Sequence, residues 1–191
     1  MARESSDSLA EQHVREFARA GVRAGLLAED DLRREVVEAV AAELPDRDAE
    51  ATADAWIAEA REELRVDQES WPEATDYERL QTALAELELS DVVVLQGIED
   101  HWVAKQHLQE RTDAGDPARG AAWFTPPDVW HAVDHGMLEV NVWHGDTANV
   151  EPGDELLDLV LGVLEKHGLA AHFDEGRIEV SAHWHRRMPA I

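Results

Sequence analysis

Met137-Leu138-Glu139-Val140-Asn141-Val142-Trp143-His144 is the stretch on which the fold turns. Leu138, Val140 and Val142 fall on one side of an extended chain. Glu139, Asn141 and Trp143 fall on the other, which is the period-2 pattern of a strand with one dry face. The same pattern returns over 177–184, where Ile178, Val180, Ala182 and Trp184 alternate with Arg177, Glu179, Ser181 and His183, and His185 continues the polar set. Asp174-Glu175-Gly176 before it is a turn signal, so 170–173 and 177–184 read as a C-terminal β-hairpin.

Working outward, Val92-Val93-Val94-Leu95 is a β-branched run without alternation, the pattern of a central strand covered on both faces. Ala121–Thr125 reads as another strand, and Pro126-Pro127-Asp128 then opens a short helix through His135. Leu156, Leu157, Val160, Leu161, Val163 and Leu164 make 152–167 the most apolar helix, with Gly168 placed to cap its end. Thr75 and Glu78 have capping-box spacing before Leu80, Ala83, Leu84 and Leu87, and 100–111 reads as a weaker helix. Upstream there are three helices. The first follows a capping-box spacing at Ser8 and Glu11. The second carries Leu32, Val36, Val40 and Leu44 up to Pro45, and the third carries Trp56, Ala60 and Leu64 on one stripe. The fold class is therefore α+β: a three-helix N-terminal segment (1–69), then an α+β domain (70–191) with a mixed sheet of about five strands and covering helices. The joint is placed in 67–74.

Composition narrows the function. The 191 residues hold 42 acidic and 17 basic side chains, a formal net charge of -25, and no cysteine. Without Cys there is no disulfide, Cys-ligated metal or thiol nucleophile. Dense negative charge repels phosphate backbones and anionic membranes, so no nucleic acid and no membrane partner is expected. No apolar run is long enough to span a bilayer and no signal-peptide core follows Met1, which points to a soluble, cytoplasmic protein. The acid is spread along the chain, and only two cations, Lys105 and Lys166, are lysines, a pattern that also suits a plain solvated surface. The last acidic residue is Glu179, so His183-Trp184-His185-Arg186-Arg187-Met188 is the one locally basic stretch.

Trp71, Thr75-Asp76 and Arg79-Leu80 form a W-x-x-x-T-D-x-x-R-L block that resembles an uncharacterised bacterial family, domain of unknown function 6891. Two further blocks resemble it in the same order. One is Ala118-Arg119-Gly120 through Phe124 with Ala132–Gly136 leading into Met137. The other is Gly168-Leu169, Phe173-Asp174 and Ile178-Glu179-Val180, ending in Trp184-His185-Arg186-Arg187. The resemblance implies a fold and no activity. Relatives often carry a Cys pair after the first strand, and 97–107 holds none here, which departs from any metal or redox role of that pair.

Enzyme motifs are missing. There is no phosphate-binding glycine loop, no dinucleotide fingerprint and no nucleophile elbow, so no catalytic residue is assigned and the reading leans away from an enzyme. Histidine is the richest lead. His131 and His135 share a helix face without the H-E-x-x-H pattern. His144, His183 and His185 would converge if their strands were neighbours, with Glu139 or Glu179 completing a set for zinc or nickel. Parity puts Trp143, Glu139 and Asn141 on the same polar face, and with Arg186 and Arg187 they form the expected partner-binding surface, Trp being enriched at interface hot spots. The leading expectation is a non-catalytic interaction protein taking a basic protein partner, a form that includes antitoxin-like or immunity-like proteins by analogy. The alternatives are a His-based divalent-metal-binding protein or metal-dependent hydrolase, and a mimic of nucleic acid.

Overall fold

A computed structural model describes residues 2–188, with side chains from residue 8 onward. The chain divides into two compact units: Met1–Pro72 with Arg186–Ile191, and Glu73–His185. The last residues, which the sequence reading left with the α+β segment, thus group with the helices.

The first unit is built from α1 (Ala2–Ala24), α2 (Glu29–Glu43) and α3 (Ala49–Asp67), followed by a 3-10 turn at Gln68–Ser70. Because α1 begins at Ala2, Ser8 lies inside it and does not cap it, contrary to the spacing signal. The apolar stripes meet as expected: Val14, Ala18 and Val22 pack with Leu32, Val36 and Val40 and with Ala53, Ile57, Ala60 and Leu64. Asp48 caps α3 by accepting from Ala51 N at 3.1 Å. Arg15, Arg19 and Arg23 of α1 pair with Glu59, Glu63 and Asp67 of α3, each pair 44 residues apart. A constant offset means that the two helices run parallel in register. Two of these pairs are exposed on both sides, so they set that register more than they add stability.

The second unit contains α4 (Asp76–Leu89), β1 (Val92–Gln96), α5 (His101–Asp113), β2 (Gly120–Phe124), α6 (Pro126–His135), β3 (Met137–His144), α7 (Glu155–Lys166), β4 (Ala170–Asp174) and β5 (Arg177–Ser181). The five strands form one mixed sheet in the order β1-β2-β3-β5-β4, with β1 and β2 parallel and the other neighbours antiparallel. The chain is α+β, as its patterning predicts. Thr75 is fully buried and reciprocates with Glu78: Glu78 N donates to Thr75 Oγ1 at 3.3 Å and Thr75 N to Glu78 Oε2 at 2.9 Å. Glu175 and Gly176, both at positive φ, make the tight turn between β4 and β5.

Two expectations change. β1 lies at the sheet edge, not its centre; its unbroken apolar run reflects helices on both faces. The last strand stops at Ser181, not at residue 184. Ser181 pairs with Met137, the first residue of β3, so no partner remains beyond it. The chain then follows α6, with Ala182 N donating to Gly136 O at 2.9 Å and Trp184 N to Ala132 O at 3.2 Å. Ala182 and Trp184 still point inward, and Trp184 meets Phe124 and Tyr77 edge-on.

Candidate functional site

The two faces of the sheet differ in cover. Phe124, Leu138, Val140, Val142, Ile178 and Val180 occupy the dry face, each 2 % exposed or less. On the opposite face, Ala104 and Leu108 of α5 pack on Ala121 and Trp123, with Val93, Leu95 and Trp143 at the margin. Beyond Trp143 that face is polar and reaches the surface. Asn141, Arg177 and Asp174 form one row across β3, β5 and β4, and Glu139, Glu179 and His172 form the next.

Glu139 and Glu179 sit directly opposite each other, an arrangement that costs stability through like-charge repulsion. Neighbours offset it: Arg177 pairs with Glu139, and His172 Nε2 approaches Glu179 Oε2 at 3.4 Å. Glu139, Asp174, Glu175, Arg177 and Glu179 line a shallow basin of about 300 Å³. Its acids outnumber its one cation, so the basin favours positive groups.

An aromatic rim borders this face. Trp143, which parity places on the polar face, is half-buried because α5 covers it; its ring meets Trp123 edge-on at 5.2 Å and His101 at 6.3 Å. Trp102 remains 60 % exposed, with Lys105 over its ring at 5.2 Å. Asp100 fixes this corner by capping α5, accepting from Trp102 N at 2.8 Å. The local signal for it was an Asp two residues before Trp102, a capping arrangement rather than a site motif.

The three imidazoles offered as metal ligands are not brought together. His144 ends β3, where its Nε2 meets Asp154 Oδ2 at 2.9 Å. His183 lies past Ser181, opposite the start of β3, so the two are separated by roughly the 23 Å that seven strand residues span. The His183 ring covers Gly136 and stacks on His185 with centroids 5.1 Å apart. Among the described residues no group of three or more His, Asp or Glu side chains is placed to hold a metal ion. His131 and His135 lie ring to ring at 4.7 Å on α6.

Arg186 and Arg187, offered as partner contacts, are engaged within the helical unit. The Arg186 guanidinium lies against Gly25, where an added Cβ would meet it at 2.0 Å. Arg187 donates to Pro72 O at 2.6 Å and Gln68 O at 3.4 Å, and its guanidinium lies 5.9 Å from the Trp71 ring centre.

The His144–Asp154 contact predicts a pH effect. The Glu151 backbone N–H, and then His144, hold the Asp154 carboxyl below the usual aspartate range. A carboxyl depressed in the folded state stabilises above its unfolded pKa and loses that contribution as pH falls through its folded one. Asp154→Ala should therefore be less stable than wild type at neutral pH, with the two urea midpoints converging below about pH 4. A gap that does not narrow at all as pH falls from 7 through the acid range would refute the assignment.

No helix of the described residues is long and apolar enough to cross a membrane. No curated protein and no solved structure matches the chain. The model of the family described as Domain of unknown function (DUF6891) matches residues 7–188, nearly the whole length, and the chain belongs to that family.

Proposed function

We propose that this protein is a non-catalytic interaction module that takes a basic protein partner on the unit of residues 73–185. The observation that carries the reading is charge: this stretch holds 23 acidic against 6 basic side chains, net -17. Such an imbalance attracts a basic partner at long range and accelerates encounter at low salt. Close contact needs more than field, and the polar face of β3 and β5 supplies it. Glu139 and Glu179 lie side by side in an acidic basin, where a partner's cation would add to the pairing that Arg177 and His172 already supply. Trp102 at the rim gives an exposed aromatic of the kind that anchors interfaces.

The test is capture of partners from native lysate at low and at high salt, comparing wild type with the Glu139→Gln/Glu179→Gln double variant. The variant removes two charges that repel each other, so its fold should persist. The expected result is a basic protein held by wild type, released by salt, and held at least tenfold more weakly by the variant. Absence of a salt-sensitive partner at low salt, or equal retention by both chains, would overturn the reading.

A further inference from the structure

We propose that the open edge of β1 receives one extended segment of the basic partner, which joins the sheet as a sixth strand. This rests on the interaction reading above and names the surface and the binding mode.

Three observations lead there. The first is the free ladder. Arg119 O accepts from Gly145 N on the β3 side and Phe124 O from Ile98 N on the β1 side, each at 3.1 Å, so Gly120, Ala122 and Phe124 face β1. The parallel register then turns Val93 and Leu95 toward β2 and the N–H and C=O groups of Val92, Val94 and Gln96 away from it. The second is that the strand's own residues carry no guard. Protected edges carry lysine, proline, a bulge or charge, and Val92-Val93-Val94-Leu95 has none of them. The opposite edge strand, β4, exposes His172 and Asp174 and runs straight into the charged turn at Glu175. The third is shape. A groove of about 360 Å³ follows β1, walled by Glu88 of α4 on one face and by His107 and Arg111 of α5 on the other. A strand spaced about 4.8 Å from β1 would run along these residues.

Charge selects the occupant. Arg111 is already met by Asp91 and Asp116, each at 2.8 Å, which leaves Glu88 to face what enters. A second copy of this chain would bring another -25 to the same place, so self-pairing across β1 is opposed by the field that favours a cationic strand. Main-chain hydrogen bonds to β1 would supply affinity, and alternate side chains over Val93 and Leu95 would supply selectivity.

The probe is a synthetic peptide of alternating arginine and valine, added to the full chain at low salt and followed by amide hydrogen exchange. Its control is the same peptide N-methylated at alternate residues, which keeps the charge and removes the ladder donors. Strand addition predicts exchange at least tenfold slower at Val92, Val94 and Gln96 with the plain peptide and unchanged with the methylated one. Two outcomes overturn strand addition while leaving a basic partner in place: equal binding of the methylated peptide, and protection confined to the Glu139 and Glu179 face. If neither peptide binds at all, the interaction reading falls with it.

Discussion

Gly120→Ala should unfold residues 73–185 at a much lower urea concentration than wild type. Gly120 opens β2 and pairs with both Val92 and His144, so its backbone is held from two sides. A Cβ placed there would lie 2.3 Å from the Trp143 carbonyl oxygen and 2.5 Å from Leu156 Cδ2. The leucine methyl can swing aside. The carbonyl belongs to the backbone of β3, and moving it shifts the strand that carries Leu138, Val140 and Val142. Overpacking of this kind costs about 3 kcal/mol, a large share of the roughly 5–15 kcal/mol that holds a domain together. Gly162→Ala is the matched control. Gly162 sits inside α7 with nothing within 4 Å of its added Cβ, so the same methyl should raise stability by about 0.5–1 kcal/mol through helix propensity. Equal midpoints for Gly120→Ala and wild type would mean that β2 and β3 separate freely, contrary to the register described.

That pair of glycines shows where reading the sequence ends. Both are bare Gly in the chain, and only the packing says which one a methyl would break. Features decided within a few residues were legible: the Thr75–Glu78 cap, the alternation of β3, the turn at Glu175-Gly176. Features decided by distant partners were not. The apolar run of β1 reports that both faces are covered, which holds at an edge flanked by α4 and α5 as well as at a centre. Alternation continues through Trp184, yet β5 ends at Ser181 because β3 starts opposite it.

The same division applies to the site. Parity correctly separated Glu139, Asn141, Arg177 and Glu179 from the dry residues, since a strand's side chains alternate whatever it pairs with. Parity fixes a face and says nothing about distance along it. His144 and His183 therefore looked like neighbours while lying at opposite ends of β3. Nor does parity show what lies overhead: Trp143 is on the polar face and still half-buried, because α5, the weakest helix by pattern, packs above it.

Arg187→Ala should weaken the helical unit, an outcome opposite to the partner-contact role that its place in a basic tail suggests. The guanidinium donates to the carbonyls of Gln68 and Pro72, just past the end of α3, where backbone acceptors lack helical partners. It also lies over Trp71, and the next residue is drawn in behind it: Met188 N donates to Gln68 Oε1 at 3.1 Å and its side chain packs on the three-helix core. Removing a charged donor from two carbonyls costs about 1–3 kcal/mol. The loss should appear as faster amide exchange through the last turn of α3 and a lower urea midpoint. Arg187→Lys should not restore it, because a single ammonium lacks both the forked donors and the flat surface that rests on the indole. A partner contact would behave differently: Arg187→Ala would fold as firmly as wild type and lose only binding. Stability and capture measured on the same variant therefore separate a strap that holds the helices from a hand offered to another protein.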